Sequence, residues 1–208
     1  MVLATRSAGK IRELTALCAA EGFAVQTLDA LGVAERADED AIEIFDTFEE
    51  NARAKARYFA ALLPGRVILA EDSGLEVFAL QGAPGVRSKR WAGSAKTGKA
   101  LDDANNGALV HALRGVADRR ARYVCVAVCV CDAEEWSAAG RVDGRITLAP
   151  RGNGGFGYDP WFESEELGVT FAEATIAEKA RVSHRARAVV ALLSSGGAEL
   201  RRRVQHVS

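Results

Sequence analysis

The segment "RYVCVAVCVC", residues 122–131, constrains the fold more than any other part of the sequence. It is apolar on both faces of an extended chain, which predicts a central strand of a sheet that is covered on both sides. Helical and strand patterns alternate before this segment, and hairpin-like strands follow it. This order predicts an α/β fold in which helices flank a mixed β-sheet.

Three of the four cysteines lie on this strand. Cys125, Cys129 and Cys131 share one face of an extended chain, and three thiolates on one face are one way to bind a metal. No CxxC motif or neighbouring histidine supports a zinc geometry. We therefore interpret them as small buried side chains in a reducing compartment.

The charge balance excludes some classes of partner. The 208 residues include 27 Lys and Arg and 28 Asp and Glu, a net charge of −1, whereas a nucleic-acid or membrane coat would be basic. No apolar run is long enough for a signal peptide or a membrane span, so we expect a cytoplasmic protein. One domain over residues 1–208, with a loosely held basic tail over residues 196–208, fits the length.

Local signals place several elements. Residues 10–22 have helical spacing of apolar side chains, and residues 47–65 form a second helix that opens with a capping-box pattern. The apolar, β-branched run 66–70 predicts a strand that ends at "EDSG". A turn is predicted at residues 132–136, and a glycine bulge at Gly144.

The stretch "LATRSAGK", residues 3–10, passes from a strand through a polar loop into a helix. Helix N-terminal N–H groups bind anions, and Lys10 adds a positive charge. The stretch is not a Walker P-loop, because position 4 is Ala4 and Ile11 follows the lysine. From the local sequence, an anion site and a plain capped turn are equal interpretations.

Two adjacent acids, Glu71 and Asp72, follow the strand in "VILAEDSG". Carboxylate oxygens suit Mg²⁺, which also takes water and phosphate oxygens. Glu43 and Glu50 join such a site if the second helix packs nearby. A solvated acidic turn is the alternative.

The second helix presents Asn51 and Lys55 on one face, four residues apart. They form either an exposed polar stripe or a site with a lysine directed at phosphate. In "VSHRAR", His184 and Arg185 lie in the first turn of a later helix, where cations oppose the helix dipole. That inconsistency indicates function, although solvent exposure also explains it.

The stretch "RGNGGFGYDPWF", residues 151–162, combines glycines with aromatic side chains. Glycines let the backbone approach a flat ligand, and Phe156 offers a face on which a base stacks. Asp159 is interpreted as directed at ring N–H groups. Tyr158, Trp161 and Phe162 are interpreted as anchors of the loop in the core.

Taken together, these stretches resemble the inosine/xanthosine triphosphate pyrophosphatases, the Ham1-like enzymes. The matching motifs are "LATRSAGKIREL", "TFEENARAKA", "LAEDSGLEV", "GAPGV", "GGFGYDPWF" and "EKARVSHRARA", from residue 2 to about residue 193. The resemblance implies an elongated mixed sheet with a cleft between two lobes, and a homodimer. It also implies Mg²⁺-dependent cleavage of dITP, ITP and XTP, purine nucleoside triphosphates with a 6-keto base, to monophosphate and pyrophosphate, which cleanses the nucleotide pool.

Residue roles follow from the same resemblance. Asp72 matches the general base and a metal ligand, and Glu43 a second metal ligand. Lys10, Lys55 and Lys179 match phosphate-side lysines. The remaining positions match or are predicted as substrate contacts, towards the phosphates or the base: Thr5, Arg6, Ser7, Ala8, Gly9, Asn51, Ser73, Phe156, Gly157, Tyr158, Asp159, His184 and Arg185.

Three positions depart from the family pattern. Ser7 replaces the usual Asn of the first loop and shortens that side chain. Glu71 replaces the first of two paired aspartates, while Asp72 is kept. Arg87 replaces the common Tyr after "GAPGV", at a cleft rim or a dimer contact.

Two other functions share these features. One is a phosphohydrolase that acts on pyrimidine or other modified nucleotides, since the phosphate-binding residues alone do not select the base. The other is a non-catalytic module that binds nucleotide or RNA. In that module the acids at positions 71 and 72 would have no role, and the near-zero net charge argues against RNA.

Overall fold

The structure is a computed structural model that describes residues 1–205, with all side chains of this range except those of Asp40 and Gln205. Six strands form one sheet in the order β2-β1-β3-β4-β5-β6. Strand β1 is parallel to β2 and β3, with Val2 opposite Ile68, and β5 is antiparallel to β6. The elements are β1 Val2–Leu3, α1 Ala8–Ala20, β2 Gln26–Thr27, α2 Phe48–Leu62, β3 Ile68–Val77, α3 Gly98–Ala112, β4 Arg120–Cys131, β5 Glu134–Ile146, β6 Phe162–Ser164, α4 Ile176–Val182 and α5 His184–Gln205.

The predicted α/β class and mixed sheet are confirmed. Strand β4 is interior, between β3 and β5, as its two apolar faces require. All four cysteines are buried and free, which agrees with their interpretation as small core side chains. No helix within residues 1–205 has both the length and the apolar character needed to cross a membrane.

The chain divides into two compact units. The first unit comprises Met1–Asp72, Cys125–Gly140 and the chain from Arg185 onward, and the second unit comprises Ser73–Val124 and Arg141–His184. Strands β3, β4 and β5 each contribute residues to both. The cleft that the family resemblance implies stays a prediction.

The core of the first unit forms where α2 packs on the sheet. Ala52, Ala56 and Phe59 of α2 pack with Ile68 of β3 and Val128 of β4, and all are buried. The small alanines let the helix approach the strands closely. This packing fixes the position of α2 relative to β3, and with it the positions of the polar residues Asn51 and Lys55 of the same helix.

The second unit has an aromatic core. Tyr123 of β4 meets the Phe162 ring edge to face at 4.8 Å between centroids and stacks on Phe171 at 5.9 Å. Phe162 is fully buried, which agrees with its predicted role as an anchor. Such ring pairs add about 0.5–1.5 kcal/mol each beyond the area they bury.

Three local predictions differ from the structure. The strand predicted over 66–70 does not end at "EDSG" but runs to Val77, because the buried charge of Glu71 is compensated by distant cations. The turn predicted at 132–136 lies largely in β5. Gly144 pairs regularly with Ser164, and a Cβ there would approach the Glu163 carbonyl oxygen to 2.2 Å, so close strand approach requires this glycine.

The predicted loose tail also differs from what is seen. Helix α5 continues to Gln205 with one interruption at Gly197, where φ is 44°. Leu200 is fully buried, and the Arg201 guanidinium lies 4.6 Å from the centroid of the Phe23 ring. Residues 206–208 of the predicted tail lie outside the described residues.

Candidate active site

The loop before α1 combines a helix N-terminus with a lysine. Ser7 is the N-cap of α1, and its Oγ accepts the Lys10 N–H at 3.5 Å. Thr5 Oγ1 accepts the Ser7 N–H at 3.2 Å, and Ala8 and Gly9 begin the helix. Because the first N–H groups of a helix point out of its end, this turn suits an anion.

Glu71 is the centre of a buried ion cluster in the first unit. Lys10 Nζ lies 2.8 Å from Glu71 Oε1, Arg185 Nε lies 3.5 Å from the same oxygen, and Arg185 also pairs with Glu13. Burial alone would raise the pKa of Glu71, but the charges of Arg185 and Lys10 outweigh it and hold that pKa well below its usual range. Glu71 is therefore an ionised anchor for two cations.

Asp72 differs from its neighbour in its electrostatic environment. Its side chain is buried, and Oδ2 accepts a hydrogen bond from Asn51 Nδ2 at 3.1 Å. Burial raises the pKa of Asp72 to about 6, although the charges of Lys10 and Lys55 act in the opposite direction. A carboxylate with this pKa is largely ionised at neutral pH and still basic enough to accept a proton from water.

The polar face of α2 is directed at this region rather than at solvent. Lys55 is buried and pairs with Glu43, and Asn51 is fully buried beside Asp72. The interpretation of Asn51 and Lys55 as an exposed stripe is therefore wrong. Both residues contact the predicted acids, Asn51 through Asp72 and Lys55 through Glu43, and the direction of Lys55 towards phosphate stays a prediction.

Asp72 and Glu43 are the oxygen donors that the sequence assigns to Mg²⁺. The charge of Glu43 contributes to the raised pKa of Asp72, so a cation held by both carboxylates would relieve their repulsion. Within residues 1–205, no group of three or more His, Cys, Asp or Glu side chains is arranged to hold a metal ion. Mg²⁺ needs only one or two carboxylates when phosphate oxygens and water complete its shell, so this pair fits it.

Arg6, a predicted substrate contact, has protein partners. Its guanidinium donates to Glu39 at 2.8 and 3.2 Å, to Asp29 at 2.9 Å and to the Val33 carbonyl at 2.8 Å. These bonds tie the loop before α1 to the 3-10 segment Ala37–Ala41. In the structure, Arg6 therefore braces the loop.

Asp159 holds the glycine-rich loop of the second unit. Its Oδ2 accepts the Phe156 N–H at 2.9 Å and Lys179 Nζ at 2.6 Å. Gly155 has φ 70°, and a Cβ there would lie 2.1 Å from Asp159 Oδ2, so only glycine fits. Asp159 is buried, and it joins the loop to Lys179.

Lys179 contacts the glycine-rich loop of the second unit. Its ammonium lies 5.1 Å from the Phe156 ring centroid and 5.3 Å from that of Phe171, and it is paired with Asp159. Cation–π contacts of a desolvated ammonium are worth about 2 kcal/mol. The structure thus places the lysine predicted at the phosphates beside the predicted base-stacking ring.

Helix α3 clamps the same loop from another side. Gly157 N–H donates to Asp102 Oδ2 at 2.9 Å, and Asn106 Nδ2 donates to the Gly157 carbonyl at 3.0 Å. Tyr158 OH donates to the Ser88 carbonyl at 2.9 Å and is buried, as predicted for an anchor. Asp102 and Asn106 were not predicted, although their spacing of four in the helical run "LDDANNG" places both on one face of the helix.

The remaining predicted residues are divided between the units. His184 is buried in the second unit and stacks on the Tyr123 ring at 4.5 Å, while its neighbour Arg185 belongs to the cluster around Glu71. Ser73 follows Asp72 on β3 and is partly buried. Glu13, which pairs with Arg185, was also missed, because its partner lies at the far end of the chain.

The chain is similar to known proteins over most of its length. A sequence model of the Ham1 family matches residues 1–195. The chain is 48% identical over 200 residues to a Burkholderia pseudomallei protein named dITP/XTP pyrophosphatase, covering 95% of this chain and 93% of that protein. A Nitrosomonas europaea protein of the same name is 46% identical over 196 residues, covering 93% and 92%.

Solved structures agree with the sequence comparison. The Staphylococcus aureus Ham1 protein has a TM-score of 0.76 and 35% identity, covering 93% of this chain and 95% of that chain. A HAM1 protein from Coxiella burnetii has a TM-score of 0.77 and 33% identity, covering 93% and 96%.

Proposed function

This chain belongs to the Ham1 family, and from that premise we propose that it is a hydrolase that cleaves dITP and XTP to the monophosphate and pyrophosphate. ITP is included among the substrates because it carries the same base as dITP. The reaction would remove non-canonical purines from the nucleotide pool. We also propose that the enzyme is a cytoplasmic homodimer that requires Mg²⁺.

The observation that carries this proposal is the state of Asp72. A buried carboxylate with a pKa raised to about 6 is held by an amide and accompanied by two lysines. At neutral pH such a group orients a water molecule and accepts its proton. Asp72 is thus the proposed general base.

The first unit would bind the triphosphate. Lys10 and Lys55 would offset its negative charge, and the amides at the start of α1 would bind a phosphate oxygen. Mg²⁺, held by Asp72 and Glu43, would supply further charge neutralisation at the reacting phosphates. Glu71 and Arg185 keep Lys10 in place without titrating near neutral pH.

The second unit would select the base. Phe156 would stack on the purine, and the Lys179–Asp159 pair would keep the ring in place. We assign the donor to the 6-oxygen to His184, because the N–H groups of Phe156 and Gly157 are donated to protein carboxylates and the Arg185 guanidinium pairs with Glu13 and Glu71. Adenine presents an amino group there and would leave a buried donor unpaired, at a cost of about 1–3 kcal/mol per group.

A substrate panel tests this function. Wild-type protein with Mg²⁺ is incubated with dITP, ITP, XTP, dGTP, dATP and dUTP, and pyrophosphate and orthophosphate are measured separately. We expect pyrophosphate release from the first three at rates well above the others, and no turnover after chelation. Orthophosphate as the primary product, or preference for a pyrimidine nucleotide, would refute the proposal.

Light scattering of the purified protein in solution tests the proposed dimer.

A further inference from the structure

Asn51 has its hydrogen-bonding groups committed within the protein. Its Oδ1 accepts the Phe45 N–H at 2.9 Å, and its Nδ2 donates to the Phe45 carbonyl at 3.2 Å and to Asp72 Oδ2 at 3.1 Å. Both N–H bonds of the amide are thereby used, and the side chain is fully buried. The orientation of the amide is fixed, because exchanging its oxygen and nitrogen would oppose like groups at both partners.

The backbone that Asn51 holds belongs to the segment of Glu43. Phe45 lies two residues after Glu43, and the Glu43 carboxylate pairs with Lys55, one turn beyond Asn51 on α2. Helix α2 therefore holds this segment at two points, one through its backbone and one through its side chain. Asn51 also links the Phe45 backbone directly to Asp72 on β3, because it bonds to both.

We propose that Asn51 is a positioning residue that fixes the Glu43 segment relative to the Asp72 carboxylate. This inference rests on the proposed function, since that function assigns Mg²⁺ to these two acids. Asn51 is then not a substrate contact, the role that the sequence assigned to it. Groups that orient metal ligands commonly change metal affinity or activity by about 10–100-fold when they are removed.

The chain offers a matched control in Asn105 of the second unit. Asn105 Oδ1 accepts the Ala92 N–H at 2.8 Å, and its Nδ2 donates to the Lys89 carbonyl at 2.9 Å. Asn105 is also buried in a helix and clamps a neighbouring backbone segment. Like Asn51, it accepts one backbone N–H and donates to one backbone carbonyl, whereas Asn51 also donates to a carboxylate.

The test compares Asn51→Ala with Asn105→Ala in the full chain. Mn²⁺ binding to each nucleotide-free protein is titrated by electron paramagnetic resonance, and kcat and KM for dITP are measured at saturating Mg²⁺. We expect Asn51→Ala to weaken Mn²⁺ binding about 10-fold and to lower kcat about 10–100-fold, with KM within about threefold of wild type. Asn105→Ala should keep the wild-type Mn²⁺ affinity. Thermal unfolding is measured for both variants, and we expect both to be folded and to be destabilised by similar amounts.

Three outcomes would overturn the inference. One is equal Mn²⁺ affinity in the two variants. Another is a large rise in KM of Asn51→Ala at unchanged kcat, which would make Asn51 a substrate contact. The third is no Mn²⁺ binding to wild type, which would remove the site that Asn51 is proposed to fix. Failure of the proposed function is distinguishable, because a wild type inactive on the whole substrate panel still reports through the Mn²⁺ titration.

Discussion

The two units hold their candidate residues by different physical means. In the first unit, the partly buried Lys10 joins the buried Glu71 and Arg185 in a network in which each charge has more than one neighbour. In the second unit, Lys179 is paired with Asp159, and its ammonium lies near the rings of Phe156 and Phe171. A network of charges suits a multiply charged triphosphate, whereas a rigid aromatic wall suits a flat base.

The largest expected effect concerns the chemistry assigned to the first unit. Asp72→Asn keeps the size of the side chain and removes its basicity and charge. We expect kcat for dITP to fall by about 10³-fold or more, with far-ultraviolet circular dichroism unchanged. Glu199→Gln, which alters an exposed acid of the same unit, serves as control and should turn over at the wild-type rate. If Asp72→Asn keeps the wild-type kcat, Asp72 is not the base.

The next effect tests the ion pair of Asp159 and Lys179 in the second unit. Asp159→Asn leaves the Lys179 ammonium buried without its counter-charge, and breaking such a pair costs about 3–5 kcal/mol. We expect the free energy of unfolding in urea to fall by this amount. Asp103→Asn, which removes an exposed pair with Lys99, should leave the urea midpoint unchanged. A midpoint for Asp159→Asn equal to that of this control would contradict the anchoring role.

A smaller effect sharpens the role of the aromatic wall. Phe156→Ala removes the proposed stacking surface, which is worth about 1–3 kcal/mol in proteins that bind single strands. We expect KM for dITP to rise by about 10-fold or more, with a smaller change in kcat. Phe78→Ala removes a ring that is already exposed and should leave KM as in wild type. Equal KM values in the two variants would show that Phe156 does not contact the base.

The smallest effect is a pH dependence of stability from Glu71. The folded-state pKa of Glu71 lies below the unfolded value of about 4.3, so its contribution is complete above that value and is lost as pH falls below it. We expect the unfolding free energy of wild type to decline between about pH 5 and 3, and that of Glu71→Gln to decline less. Parallel curves would mean that Glu71 is not stabilised in its ionised form.

Some of this organisation could be predicted from the sequence because it depends on neighbouring residues. The position of β4 follows from its own two apolar faces, and the cap of α1 follows from Ser7 within its own turn. The end of β3 was predicted wrongly because burial of Glu71 depends on Lys10 and Arg185, which are distant in the chain. From the local sequence alone, an acid after an apolar run predicts the end of a strand.

The site shows the same limit. The motifs supplied the candidate residues but not the partners that hold them in place. Asp159 was assigned to a ligand because its partner Lys179 comes from α4, which the glycine-rich loop itself does not reveal. Asn51 was assigned to the substrate because its bonds to Phe45 exist only once that segment returns to α2.

The division of work between the units is tested most directly by kcat/KM for dITP and dATP, measured in parallel for wild type, Lys10→Met and His184→Ala. We predict that Lys10→Met lowers both values by the same factor, since a contact to phosphate does not distinguish one base from another. We predict that His184→Ala lowers the dITP value by about 5–150-fold, the equivalent of 1–3 kcal/mol, and leaves the dATP value nearly unchanged. The opposite pattern, a loss of base preference in Lys10→Met with an unchanged preference in His184→Ala, would contradict the division.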